Sequence, residues 1–154
     1  MSLKPLHSKP GHLIRRLQQI AVAIFMEETS AFGLTPVQYA ALIAVREHPD
    51  IDVTRLSSLI AFDRSTLGNV VERLEAKRWL ERRPGQADKR IKLLRVTAAG
   101  RKMLEAIEPA VQRAQERILA PIPKAEQKRF VERLKQLVEI NNVHSRAPMR
   151  PLGD

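Results

Sequence analysis

The sequence predicts a mainly α-helical, α+β chain in which one short β-hairpin interrupts a series of amphipathic helices. Three observations carry this. Apolar residues recur at helical spacing over most of the 154 residues. The exception is Leu80–Arg83 and Ile91–Val96, two strand-like runs separated by turn chemistry at Pro84-Gly85-Gln86-Ala87. Charge gathers around that hairpin: between Arg64 and Lys102, 12 Lys and Arg stand against four Asp and Glu, a local +8 out of +10 for the whole chain.

The basic balance favours a polyanionic partner, nucleic acid ahead of an anionic membrane surface. No apolar run approaches the ~18 residues of a transmembrane helix, and no signal-peptide pattern opens the chain. No membrane association is expected, and cytoplasmic is the expected location. Cysteine is absent, which removes disulfides, thiolate catalysis and cysteine-based zinc sites. Aromatics make up 4% and are scattered, a poor stacking platform for single strands, so duplex DNA is the better polyanion. His7, His12, His48 and His144 show no metal-ligand spacing. No Ser/His/Asp set, phosphate loop or carboxylate pair stands out. An enzyme is not expected, nor a cofactor.

In chain order, residues 1–10 read as an extended arm with Pro5 and Pro10. A helix follows from about Gly11 to Phe32, with Leu13, Leu17, Ile20 and Ile24 on one stripe that suits either core packing or a seam with a partner subunit. Gly33 is placed at its C′ position. Thr35-Pro36 supplies an N-cap and first-turn proline for a second helix, apolar nearly all round and so buried, stopped by His48-Pro49. Asp52 caps a short third helix. Asp63 caps a fourth, from Arg64 to about Lys77, with Leu67, Val70, Val71 and Leu74 inward. Its opposite face offers Ser65, Asn69 and Glu72, flanked by Thr66 and Arg73. Short polar side chains let a helix approach base edges, where Asn pairs with adenine and Arg with guanine. The pair reads as a helix-turn-helix and the hairpin as its wing. Thr97 caps a fifth helix with a seam at Leu104, Ile107, Val111, Ala114 and Ile118. Pro109, inside it, predicts a kink or break. A last helix runs from Lys124 to about Val143, carrying Phe130, Leu134, Leu137, Val138 and Asn141 on one side. The tail, His144–Asp154, reads as disordered.

The segments LTPVQYAALIAV, DRSTLGNVVERLEAKRWLERR and ADKRIKLLRVTAAG resemble the MarR family of transcriptional regulators over most of the chain. The wing is the most specific part: Asp88, Arg90, Leu94, Val96, Thr97 and Gly100 match the family's pattern. One position departs, Arg78, where the family usually closes the recognition helix with glycine. The resemblance implies a winged helix-turn-helix (35–97) and a helical dimerisation lobe from the N-terminal helix (11–33) and C-terminal helices (98–144). It implies a homodimer reading a pseudo-palindromic operator in double-stranded DNA, with half-sites ~34–36 Å apart.

Mapped onto this sequence, Arg64, Ser65, Thr66, Asn69 and Arg73 are the candidate DNA contacts on the helix. Arg90 is the wing-tip arginine for a narrow minor groove, with Asp88 orienting it and Lys89 beside it. The plain alternative for Asn69 and Arg73 is a solvated helix face. Lys89, Lys92 and Arg95 are expected to meet phosphate or solvent rather than bases.

With no cysteine, the family's peroxide-sensing branch is excluded, and the resemblance implies release by a small anionic aromatic effector such as an aromatic or heteroaromatic carboxylate. Candidates are His12 or Arg16 as carboxylate partner, with Ile20, Ile24 and Tyr39 as wall. The expectation is a ligand-responsive repressor, the alternatives being a non-specific architectural DNA-binding protein or an activator.

Overall fold

A computed structural model describes residues 3–153. A single turn of helix, α1 (Lys4–His7), precedes α2 (Pro10–Glu28), α3 (Pro36–Glu47), α4 (Val53–Ile60) and α5 (Arg64–Ala76). The hairpin β1 (Leu80–Pro84) and β2 (Lys92–Val96) follows, then α6 (Ala98–Leu119) and α7 (Lys124–Asn141), which ends in a 3-10 turn at Asn142–His144.

The helix starts obey local chemistry. Thr35 Oγ1 accepts from Gln38 N at 3.2 Å while Gln38 Oε1 accepts from Thr35 N at 3.1 Å, a reciprocal capping box opening α3. Asp52 Oδ1 takes Arg55 N at 2.9 Å and opens α4. Thr97 Oγ1 takes Gly100 N at 3.0 Å and opens α6.

Several expectations are corrected. The N-terminal arm is not extended: Lys4–His7 is helical and Pro10 is a first-turn residue of α2, while residues 1–2 lie outside the described residues. The helix expected to reach Phe32 ends at Glu28, where Thr29 Oγ1 bonds back to Phe25 O at 2.7 Å. Gly33 does take φ 62°, but in the turn that follows rather than at that helix's C′ position. Pro109 does not break α6, which is one helix over 22 residues. The C-terminal tail is ordered through residue 153, held by bonds to α4 and α5 described below; Asp154 lies outside the described residues.

One core runs from α2 through α6. Leu42 and Val45 of α3, Leu56 of α4, and Leu67, Val71 and Leu74 of α5 pack with Leu80 and Leu94 of the hairpin. Phe25 of α2 and Leu104, Ile107 and Val111 of α6 join the same cluster. Leu104, Ile107, Val111 and Ala114 of the α6 seam are thus buried within the protomer, while Ile118 is half-buried. Arg113 and Arg117 bond Glu28 at 3.1 and 3.0 Å, and Arg117 also takes Glu27 at 2.9 Å, lashing the end of α2 to α6. These cations offset two carboxylates placed at the unfavourable negative end of a helix. In contrast, Leu13 (47% exposed), Ile14 (56%) and Ile20 (48%) of α2, and Leu137 (53%) and Val138 (65%) of α7, leave their apolar surface uncovered.

Candidate nucleic-acid interface

The short α4 and the longer α5 meet through a tight turn in which Ala61 takes φ 57°. Leu67, Val70, Val71 and Leu74 of α5 are buried, so the opposite face of the helix is fixed outward: Arg64, Ser65, Thr66, Asn69 and Arg73 are all exposed. Asp63 stands at the N-cap position but makes no capping bond. Its carboxylate instead accepts from Arg146 Nη2 at 2.6 Å.

The far end of α5 settles the Arg78 question. Lys77 is the C-cap, Arg78 N donates to Glu75 O at 2.8 Å and Trp79 N to Leu74 O at 3.0 Å. This is a Schellman closure. Arg78 occupies its left-handed position at φ 61°, the conformation in which glycine costs least.

The hairpin is antiparallel, with Leu80 opposite Val96 and Pro84 opposite Lys92. Its loop closes through Gly85, whose N–H donates to Ile91 O at 2.8 Å. A Cβ there would sit 2.7 Å from Asp88 O, so only glycine fits. Asp88 folds back on its neighbour. Oδ1 accepts from Arg90 N at 3.0 Å and from Nε at 3.1 Å, and Oδ2 accepts from Nη2 at 3.1 Å. The bonds to the Arg90 side chain, then to its backbone, hold the Asp88 carboxyl below the usual carboxylate range. The Arg90 side chain is 90% exposed yet oriented.

The wing is braced from below. Asp50, in the α3–α4 turn, takes both Nε and Nη2 of Arg95 at 2.6 Å, and the Ile51–Leu94 bridge adds a third, minimal strand. Arg95, expected to meet phosphate or solvent, is committed to this brace. Between wing and helices lies a basin of about 410 Å³ lined by Thr54, Arg55, Arg64, Arg82, Arg90 and Lys92. Sequence pattern alone singles out none of Thr54, Arg55 and Arg82. The signal available for the first two was their place in the first turn after the Asp52 cap.

The five candidate ligand residues are not brought together. Arg16 and Ile20 line an open apolar groove of about 550 Å³ between α2 and α7, with Leu13, Leu17, Phe130 and Leu134. His12 stands one helical turn before Arg16 on α2, at the end of that groove's helix, with its ring 5.7 Å from His7. Its Nε2 is buried without a hydrogen-bond partner among the described residues. Desolvation, then the positive neighbours Arg15, His7 and Arg16, lowers the imidazole pKa.

Tyr39 packs on Phe25 at 5.9 Å between centroids, and its hydroxyl donates to Glu108 Oε2 at 3.0 Å. Phe25 lies 13 residues along α2 from His12, about 20 Å at helical rise. Ile24 shares that distant end. Tyr39 and Ile24 therefore stand toward the other end of α2 from His12.

Among the described residues no group of three or more His, Cys, Asp or Glu could hold a metal ion, and no helix is long and apolar enough to cross a membrane. An outward polar helix, a braced wing with a poised arginine, and a basic basin between them define a winged helix-turn-helix, DNA-binding transcriptional regulator. Residues 32–91 match the MarR family, and the chain belongs to it. The transcriptional repressor NicR of Pseudomonas putida is 27% identical over 84% of this chain and 82% of its own. A probable transcriptional regulator from Pseudomonas aeruginosa superposes with a TM-score of 0.81 at 32% identity, covering 86% of this chain and 98% of that one. BpsR of Bordetella bronchiseptica, solved in a study of how 6-hydroxynicotinic acid regulates its DNA binding, gives 0.78 at 29% identity, covering 84% and 93%.

Proposed function

We propose that the protein is a homodimeric repressor that reads a pseudo-palindromic operator and is released by a small anionic aromatic or heteroaromatic ligand. The observation that carries the reading is the basin in which Arg64, at the start of α5, and Arg90, on the wing, meet across one surface. A base-reading helix and a minor-groove arginine are thereby held in fixed relation. Ser65, Thr66, Asn69 and Arg73 serve the major groove, with Arg64, Lys89 and the basin's Arg55 on phosphates. Arg90, aimed by Asp88, enters the minor groove.

The uncovered apolar stripes of α2 and α7, which a monomer would leave in water, support the dimer. Residues 11–33 and 98–144 supply the dimerisation lobe and 35–97 the reader, although one core runs through both. The NicR and BpsR likenesses support repression and a heteroaromatic acid. His12 and Arg16 supply the anion's partners, and the wall beyond Ile20 comes from the second subunit. Ligand binding favours a dimer whose two α5 helices no longer match successive major grooves.

The test is fluorescence anisotropy of the full-length chain on the duplex upstream of its own coding sequence and on a shuffled duplex. Sedimentation runs alongside, with 6-hydroxynicotinic acid and benzoic acids titrated in. Preference for the upstream duplex by a dimer, reversed by one of the acids, supports the reading. Equal affinity for both duplexes would instead mark an architectural DNA-binding protein.

A further inference from the structure

The C-terminal segment beyond α7 is tied down rather than trailing. Asn142 clamps it, accepting from Met149 N at 2.8 Å through Oδ1 and donating to Met149 O at 2.9 Å through Nδ2. Arg150 N then donates to Ser58 O in α4 at 2.8 Å, and Leu152 packs half-buried against the core. Inside the clamped loop, Arg146 reaches Asp63 at the start of α5. The tail thus lies across the α4–α5 turn, where Phe62, Arg64, Arg146 and Arg150 share a shallow basin of about 230 Å³. Arg64 also lines the wing basin. One basic surface therefore runs from the wing, over the start of the recognition helix, to the tail.

Charge explains why the tail belongs there. Asp63 spends no carboxylate oxygen on capping its helix. A bare carboxylate at the base-reading end of α5 would repel DNA phosphates. Arg146 neutralises it while keeping its side chain 86% exposed, so guanidinium N–H groups remain for a second anion. Arg150 is exposed on the same strip, fixed through its backbone and not its side chain.

We infer that this tail is a third DNA-contacting element beside α5 and the wing, with Arg146 and Arg150 binding backbone phosphates that flank the base-reading end of α5. The inference rests on the interface proposed above. Phosphate contacts carry little sequence information, so the tail contributes affinity and register while α5 and the wing discriminate.

The test is the salt dependence of duplex binding by the full-length chain, on the upstream duplex and on a random one. Each phosphate contact contributes about 0.9 to the slope of log affinity against log salt. A dimer presents two tails, so the double variant Arg146→Ala/Arg150→Ala removes four contacts and is expected to flatten that slope by about 3.6 on both duplexes. Arg146→Lys/Arg150→Lys is expected to restore it. An affinity loss with an unchanged slope, or a slope that lysine does not restore, overturns the inference and leaves the tail a packing element. Arg90→Ala, measured in parallel, separates the two readings. If it flattens the slope while the tail variants do not, only the tail inference falls. If neither does, the interface itself is misplaced and the inference falls with it.

Discussion

The hydroxyl of Thr97 donates to the carbonyl of Arg78 at 2.6 Å while accepting from Gly100 N at 3.0 Å. One side chain thus joins the end of the recognition helix to the start of α6. The wing is closed at its base by this contact and by Thr97 N donating to Trp79 O at 3.0 Å. The end of α5 and the start of α6 are thereby held together by two hydrogen bonds.

Arg78 sits at that junction in a left-handed conformation. This costs a residue bearing a Cβ ~1–2 kcal/mol, against the ~0.5–1 kcal/mol of extra unfolded-chain entropy that glycine brings. Arg78→Gly is expected to raise stability by about 0.5–1 kcal/mol, read as a higher urea midpoint with an unchanged slope.

Gly100 is the opposite case. A Cβ there would overlap the carbonyl of Trp79 and come within 2.8 Å of Val96 Cγ1. Backbone cannot yield as a side-chain tip can. Gly100→Ala should destabilise by roughly 1–3 kcal/mol, measured by urea denaturation. It should also weaken DNA binding, because the wing base must open to admit the methyl group.

Asp88 and Arg90 should act as a unit on DNA. Arg90→Ala removes the minor-groove cation and is expected to cost at least tenfold in affinity, about 1.4 kcal/mol. Asp88→Ala leaves the charge but frees the guanidinium, and a smaller loss is expected. In the double variant the Asp88 effect should vanish. Anisotropy titration of all three against wild type checks this, and additive losses would contradict the pairing.

Tyr39 is the single tyrosine of the chain, so tyrosinate absorbance reports it alone. Desolvation, then the hydrogen bond and charge of Glu108, raises its pKa from 10.0 to about 12. A raised folded-state value means stability from this group is full below about 10 and is lost as pH climbs toward 12. The absorbance midpoint is expected near 12 in the folded protein and about 10 in strong denaturant. Glu108→Gln should lower the folded midpoint.

His12 titrates in the other direction. Desolvation and its cationic neighbours keep the imidazole neutral more readily than in water, and a bound carboxylate would pull it back toward the charged form. Binding of a heteroaromatic acid should therefore take up a proton and tighten as pH falls. Calorimetry in two buffers of different ionisation enthalpy would show the uptake. His12→Ala binding the acid equally well at every pH would remove His12 from the site.

By itself the sequence determined the helices from α2 onward, the hairpin and the outward face of α5. Each is a short-range pattern: a 3.6-residue apolar period over Leu67, Val70, Val71 and Leu74, turn residues at Pro84-Gly85, caps at Thr35, Asp52 and Thr97. The tertiary structure decided everything that depends on residues far apart in the chain. It spent Arg95 on Asp50 and gave Asp63 to Arg146 rather than to its own helix. It buried Leu104, Ile107, Val111 and Ala114 of the α6 seam within the protomer, and it parted Tyr39 and Ile24 from His12 along the length of α2. Periodicity says which way a side chain points from its own axis. Which partner waits there is set by how the axes pack, and no local pattern encodes that.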